Sequence, residues 1–414
     1  MSYTGFDPDI PQATKYGDTP NLDACGRLRV SNPLVIFDSK QNRGFKESLV
    51  WAEELTSGGT STLQADKSST ALTVTNSSDK VIRQSRARII YQPGRSMLHY
   101  LTFVSPTEDA GVRWRVGFFD SDDGIFLEWD GTNYNVVVRS STSGSPSDAN
   151  KQVRSSWYDP LDGTGPSGVT KNFNGQNMLM WLDLQWLALG RVRVGLEING
   201  SILPMAVFDA TETNTGAYMK NPNLVHRYEI EAIGVPGAAR TLESICSAAF
   251  SEGGHNPLGI SSTASNGRTG VSVTDVYQEL LAIRVKAANV TNETFIIDAI
   301  SMICSTSGNI HFVVLLNPAN TTGGSWTSSG AATGVEYATG RTFTTPWAPG
   351  NEEHILYEGY FSADSDTISL HLDNRVVPGA SVANVPDEIS IVAANASAAG
   401  AETVFCSVEL HELH

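Results

Sequence analysis

The sequence predicts an all-β protein with an extended N-terminal arm followed by two antiparallel β-sandwich (jelly-roll-like) domains. From about residue 46 onward, apolar and polar residues alternate with a period of two, which is typical of strands that bury one face. Asp-Gly and Asn-Gly pairs separate several of these runs, and such pairs favour hairpin turns because both residues tolerate a positive φ. With 414 residues and 40% hydrophobic content, the chain can form two or three domains.

Residues 1–45 are predicted to form the arm. Prolines punctuate the segment and apolar residues are sparse before Leu28, so it cannot bury enough surface to fold alone. Two interpretations stay open: a mobile leader, or an arm that adds a strand to a neighbouring subunit. The alternation of arginine with apolar residues in 27–30 favours the second. The residues predicted to anchor the arm are Gly26, Arg27, Leu28, Arg29, Val30 and Pro33.

Residues 46–253 are predicted to form the first sandwich from two meanders. The strands of the first meander are predicted at 111–120, 125–129 and 134–139, with Asp-Gly turns between them. The strands of the second are predicted at 178–187, 191–198 and 202–208. Pro204 indicates an edge strand or a strand end, because proline has no N–H for a ladder. The polar loop 140–177 separates the meanders, and loops of that length are often functional or held by a partner.

Residues 274–414 are predicted to form the second sandwich, after a linker or long loop at 254–273. The linker is rich in Gly, Ser, Thr and Asn and poor in apolar residues. Beyond it, short β-branched runs recur at the spacing of a sandwich. These runs are 278–287, 294–305, 310–316, 354–362, 367–372, 388–393 and 403–411.

The charge of the chain is unevenly distributed. The formal net charge is −16, which argues against nucleic acid as a partner, because such proteins need a basic face. Residues 287–414 contribute −12 and hold only two basic side chains, Arg341 and Arg375. The acidic second domain is therefore expected to face solvent. The chain also has 19 Arg against 9 Lys, which fits surfaces buried against other chains, although arginine also serves isolated domains.

Several classes of site are not expected. No run of about 18 apolar residues exists, so no membrane is expected as a partner. The first residues lack a basic and apolar leader, so we expect a soluble protein made in a cytoplasm. The four cysteines are too widely spaced for a zinc site, and no nucleotide-binding or nucleophile motif occurs, so no cofactor is expected. Asp120–Gly124 suggests calcium, but the acid spacing fits a polar hairpin tip better.

Two sets of residues are candidates for carbohydrate chemistry. The carboxylates Glu128, Asp130 and Asp183 lie in or beside the meanders, where a glycosidase could keep its acid and nucleophile. Glu128 alternates with Leu127 and Trp129, so a solvated or inter-chain position is the main expectation for it. The tryptophans of the first sandwich are expected mostly in packing, with a minority stacking on sugars. The candidate glycan contacts are Trp129, Trp157 and Tyr158.

A family resemblance is carried by residues 23–33, Asp-Ala-Cys-Gly-Arg-Leu-Arg-Val-Ser-Asn-Pro, followed by Phe-Asp-Ser at 37–39. This segment resembles an N-terminal GRLRVSxP arm motif of the virion structural proteins of tailed bacteriophages. Family members commonly carry an aromatic residue where this chain has Cys25. Similar segments continue to about residue 255. They are 113–120, 124–131, 162–168, 185–195, 218–230 and 246–254.

The resemblance implies a non-enzymatic virion protein assembled in the host cytoplasm. We expect a structural subunit on the outer surface of the particle, as capsid decoration, neck or collar, or tail or fibre. It would form a homotrimer or other closed oligomer and contact other virion proteins through its arm. The alternative is a receptor-binding module of a tail fibre or spike that recognises host-surface glycan. A third hypothesis is a polysaccharide depolymerase.

Overall fold

The computed structural model of the chain describes residues 33–210, 216–254, 259–305, 308–318, 321–343, 354–362, 368–370, 377–396 and 400–413. The described residues form two antiparallel β-sandwiches, which confirms the predicted all-β fold class. Their short helical elements are single 3-10 turns at Ala65–Lys67 and Arg154–Ser156. Within these ranges no helix is long and apolar enough to cross a bilayer.

Among the described residues, the first sandwich contains fifteen strands. They are β1 (Leu34–Lys40), β2 (Trp51–Thr56), β3 (Thr60–Gln64), β4 (Ser69–Val74), β5 (Lys80–Ser85), β6 (Met97–Val104), β7 (Val112–Phe119), β8 (Gly124–Trp129), β9 (Tyr134–Ser140), β10 (Ser147–Val153), β11 (Asn177–Leu184), β12 (Arg191–Ile198), β13 (Ser201–Asp209), β14 (His226–Ala232) and β15 (Arg240–Ser251). The eight-stranded sheet has the order β13-β12-β11-β6-β15-β4-β3, with β1 also on β15, and the seven-stranded sheet has the order β10-β9-β8-β7-β14-β5-β2.

Both predicted meanders are present. Strands β7, β8 and β9 pair antiparallel in sequence order, as do β11, β12 and β13. Strand β11 lies inside its sheet between β12 and β6, and β13, which contains Pro204, lies at the edge. At the turn between β12 and β13, Asn199 and Gly200 both have positive φ, which is why the Asn-Gly pair specifies it.

The core of the first sandwich forms where the alternating apolar faces of its two sheets meet. Phe103 of β6 packs edge-on against Trp114 of β7, with ring centroids 5.8 Å apart. A single buried cluster contains residues from both sheets. At one side, the Gln152 amide of β10 donates to the Val207 carbonyl of β13 at 2.7 Å, which links the edges of the two sheets.

In the part of the chain that the structure describes, the second sandwich contains thirteen strands. They are β16 (Gly259–Ser265), β17 (Val271–Val273), β18 (Gln278–Val285), β19 (Thr294–Cys304), β20 (Asn309–Leu316), β21 (Thr321–Thr322), β22 (Thr327–Ser328), β23 (Val335–Ala338), β24 (Thr342–Phe343), β25 (His354–Ser362), β26 (Ile368–Leu370), β27 (Glu388–Asn395) and β28 (Glu402–Leu413). The five-stranded sheet has the order β16-β28-β19-β26, with β17 also on β28, and the six-stranded sheet has the order β22-β23-β18-β27-β20-β25. Strands β21 and β24 pair separately.

The strands revise two predicted boundaries. Residues 34–40, which the composition assigned to the arm 1–45, form β1 and pair with β15 of the first sandwich. Residues 259–265 and 271–273, which the composition assigned to the linker 254–273, form β16 and β17 and pair with β28. Serine and threonine suit β16 because a backbone ladder with β28 holds it, so few apolar side chains are needed.

Polar contacts join the two sandwiches. Arg86 pairs with Asp387 at 2.7 Å, and both side chains are buried. The Arg88 guanidinium donates to the Val290 carbonyl at 3.1 Å, and the Asn223 amide donates to the Asn292 carbonyl at 3.0 Å. At Gly379 a Cβ would lie 2.0 Å from the Arg86 carbonyl oxygen, so only glycine permits this close approach.

Candidate functional site

The predicted glycan contacts separate into buried and exposed residues. Trp129 is 8% exposed and Trp157 is 5% exposed, and both belong to the core of the first sandwich. Their indole N–H groups donate to the carbonyls of Asp109 and Gln152. The prediction that these two rings contact glycan is therefore wrong, because neither has an open face. Tyr158 is 52% exposed and can reach a ligand.

The candidate catalytic carboxylates do not form a pair. Glu128 lies on β8 of the seven-stranded sheet, and Asp183 lies on β11 of the eight-stranded sheet. Asp183 is buried and bound by Arg193 and Ser96. Asp130 accepts hydrogen bonds from the backbone N–H groups of its own turn. The two-carboxylate geometry of a glycosidase is thus not built from these three residues.

Glu128 instead belongs to a row of polar and charged side chains across the outward face of the seven-stranded sheet. The row runs through Asn135, Glu128, Arg115 and Glu229 on neighbouring strands. The Arg115 guanidinium lies 2.8 Å from Glu128 and 3.4 Å from Glu229. Glu128 is only 4% exposed within the chain, so the expectation of a solvated position is wrong.

Electrostatics fixes the protonation state of Glu229 in this row. Burial alone would raise the pKa of Glu229. The positive charges of Arg227, Lys80 and Arg115 outweigh the effect of burial, and the pKa is lowered to about 2. A carboxyl held so firmly in its ionised form cannot act as a general acid near neutral pH. Beside the row, Arg115 and Arg139 lie over the Phe126 ring, 5.5 and 5.0 Å from its centroid. The arrangement is a network of ion pairs that packs against an aromatic ring.

The excess of arginine over lysine is explained within the chain. Seven arginines are buried among the described residues, and no described lysine is. The buried arginines are Arg83, Arg86, Arg88, Arg115, Arg193, Arg227 and Arg341. A guanidinium can be taken out of water while it donates several hydrogen bonds, which the compact lysine ammonium does less well. The ratio therefore needs no surface between subunits to account for it.

The predicted anchor residues Gly26 to Val30 lie outside the described residues. Pro33, the last anchor residue, is described and exposed. It leads directly into β1. Within the described residues, β1 pairs with another strand on one side only, and that strand is β15. Leu34 and Val35 at the start of β1 are 44% and 51% exposed. The chain thus enters the sandwich along an apolar strand at the margin of the sheet.

A groove opens where the β9–β10 and β12–β13 hairpins meet. Its volume is about 620 Å³, and its lining includes Val192, Phe208 and Tyr218. An adjoining cavity of about 680 Å³ is lined by serine and threonine side chains from the first part of the predicted loop 140–177. Volumes of roughly 300–1,000 Å³ are typical of ligand sites. That loop also contains β10, which its composition did not predict.

The acidic turn at 120–124 is a hairpin tip. Asp120 accepts hydrogen bonds from the N–H groups of Asp122 and Asp123 and pairs with Arg88 at 2.8 Å. Asp123 accepts from Ser141. These carboxylates therefore stabilise the hairpin turn. Across the described ranges, no three His, Cys, Asp or Glu side chains come together as a metal site.

The sequence analysis missed a group of aromatic side chains on the second sandwich. Tyr277, His311 and Tyr360 lie together on the outward face of the six-stranded sheet. Tyr360 is 69% exposed, more than either Tyr158 or Tyr357. The available signal was the pattern of β25, in which Tyr357 and Tyr360 lie in an otherwise polar run, but sequence alone does not show which ring faces outward.

Comparisons with known proteins give only distant similarities. No family model matches the chain. No curated protein matches it either. Among solved structures, a Bacteroides ovatus mixed-linkage glucan GH16 protein bound to product aligns at 13% identity and a TM-score of 0.35, covering 52% of this chain and 99% of that one. The Emp47p carbohydrate recognition domain aligns at 11% identity and a TM-score of 0.33, covering 52% of this chain and 94% of that one. A Bauhinia forficata lectin bound to GalNAc aligns at 10% identity and a TM-score of 0.32, covering 53% of this chain and 98% of that one.

Proposed function

We propose that this protein is a non-enzymatic structural subunit on the outer surface of a tailed-phage virion, attached through the residues that precede β1. The observation that carries the proposal is the segment Gly26–Pro33, which resembles the arm motif of virion structural proteins. The structure supports an anchoring role because this segment leads into an apolar strand at the sheet margin, where an extended chain can pair with a neighbouring subunit.

The charge distribution supports an outward-facing second sandwich. Arg341 is one of only two basic residues in 287–414, and it lies buried between Glu279 and Glu388. Its charge is therefore neutralised inside the domain and leaves the surface carboxylates unbalanced. A strongly negative outer layer keeps particles apart and discourages non-specific adsorption.

Deletion of residues 1–32 tests the anchor. The deletion removes none of the described strands, so we expect a folded protein with unchanged circular dichroism. We expect it to be absent from particles assembled in host cells that receive only the truncated copy. The measurement is the amount of this chain in purified particles, by quantitative mass spectrometry.

A point variant separates anchoring from folding. In the full chain, L28D/V30D places charges on the apolar side of the arm alternation and should reduce incorporation as strongly as the deletion. The matched control is R43A, which changes an exposed arginine just beyond β1 and should incorporate normally. Normal incorporation of both the deletion and L28D/V30D would contradict the proposal.

A further inference from the structure

The aromatic group on the second sandwich is held in a defined geometry. The Tyr277 hydroxyl and the His311 Nδ1 are hydrogen-bonded at 2.6 Å. The Tyr360 ring lies against the His311 ring, with centroids 4.5 Å apart and planes inclined by 34°. Tyr277 also packs against the buried cluster of Val313, Leu315 and Val392 on the same face. Tyr360 is thus supported from below.

The other face of Tyr360 is open. The side chain is 69% exposed although it lies within a strand, opposite His311 of β20. Glu358 lies two residues away on the same face of β25, opposite Val313, and is also exposed. Burial raises the pKa of Tyr277, and the neighbouring Tyr360 and Glu358 add to the effect, which places these three groups in one electrostatic environment.

This combination suits a sugar. The C–H face of a pyranose ring is apolar and packs on an exposed aromatic ring, whereas its hydroxyls need hydrogen-bonding partners at the rim. Tyr360 offers the ring, and the Glu358 carboxylate offers the acceptor. The surrounding charge selects among sugars, because residues 287–414 carry −12 and would repel a sialylated or sulfated chain.

We infer that the outward face of the six-stranded sheet is a binding platform for neutral saccharides, on which a pyranose stacks on Tyr360 and hydrogen-bonds to Glu358. His311 and Tyr277 are positioning residues, since the His311 ring lies beneath the Tyr360 ring and the Tyr277 hydroxyl is hydrogen-bonded to His311. The platform lies in the second sandwich, whereas Trp129 and Trp157 of the first are buried. The inference does not depend on the proposed virion role, because binding by the purified chain is measured without particles.

The test is binding of the full chain to an array of immobilised glycans. The array carries neutral glucose-, galactose- and N-acetylhexosamine-terminated oligosaccharides beside sialylated and sulfated ones. We expect binding to neutral members only. Y360A should weaken it about tenfold, which corresponds to the loss of one stacking contact. Y277F should weaken it less, because the supporting ring remains. The matched control is F45A, which removes an exposed aromatic ring between β1 and β2 of the first sandwich and should change nothing.

Three outcomes would overturn the inference. One is the absence of binding to every neutral glycan on the array, and another is binding confined to the acidic glycans. The third is neutral binding that Y360A leaves intact. Sedimentation of the same variants detects a different use of the surface: if Y360A dissociates an oligomer without changing glycan binding, the platform is an interface between copies of the chain.

Discussion

At the scale of single residues, the first sandwich contains a buried pair of histidines. His99 of β6 and His226 of β14 are fully buried, and His99 Nδ1 lies 2.9 Å from His226 Nε2. Burial lowers the pKa of His226 to about 3. Burial, together with repulsion from His226, lowers the pKa of His99 well below its usual value. One neutral imidazole must therefore donate to the other.

The pair predicts acid sensitivity. Each unfolded histidine binds a proton near pH 6.5, whereas the folded pair does not, so stability is greatest above 6.5 and falls as the pH drops toward 3. Between pH 7 and 5, the free energy of unfolding should fall by about 2 kcal/mol for His226, and His99 adds to the fall in the same direction. Urea titrations followed by tryptophan fluorescence should show a shallower pH dependence for H226Q. An identical pH dependence in variant and wild type would contradict the prediction.

At the scale of strands, the sequence predicted the meanders and most strands of the second sandwich. Alternation and turn pairs are local signals, and they locate β7 to β9 and β11 to β13 well. Strand β16 was missed because its Ser/Thr composition depends on a ladder with β28, about 150 residues away in the chain. Glu128 and Trp129 were misjudged because period two separates the faces of a strand but does not show how deeply each is covered.

Substitution of Arg115 should show how much the charged row contributes to the free energy of unfolding. R115M leaves the buried Glu128 without its described cation and should lower the free energy of unfolding by about 3 kcal/mol. R115M/E128Q, which also removes the orphaned charge, should recover much of that loss. Chemical denaturation of the two variants measures the difference.

The matched control for Arg115 lies on the same face of the same strand. Arg113 pairs with Glu231 at 2.8 Å, but these side chains are 30% and 24% exposed. Because water screens this pair, R113M should cost less than about 1 kcal/mol. Equal losses for R113M and R115M would show that burial does not set the strength of the row.

At the scale of the whole molecule, the junction couples the two sandwiches. Arg86 reaches Asp387 with its guanidinium and the Ser48 carbonyl with its Nε, while Asp387 accepts from the Gly379 N–H. A buried pair of this kind is strongly destabilising when one partner is lost. The residues come from segments about 300 positions apart, so no local pattern in the sequence could have predicted their contact.

Loss of the junction pair should uncouple the domains. In calorimetry, we expect the wild-type chain to unfold in one transition and R86M in two, with the lower one shifted down because the buried Asp387 carboxylate loses its cation. The control is K67M, which removes a lysine that is 56% exposed in its pair with Glu243 and should leave the trace unchanged. A single transition in R86M at the wild-type temperature would refute the coupling.

The position of β28 has a consequence for biogenesis. This strand, at residues 402–413, lies in the interior of its sheet, where it holds β16, β17 and β19. Both sheets of the first sandwich are complete once Ser251 has been synthesised, whereas the five-stranded sheet cannot close until the ribosome has added Leu413. We therefore expect the first sandwich to fold before the second. A nascent chain interrupted between these points would carry a finished first sandwich and an open, aggregation-prone second one.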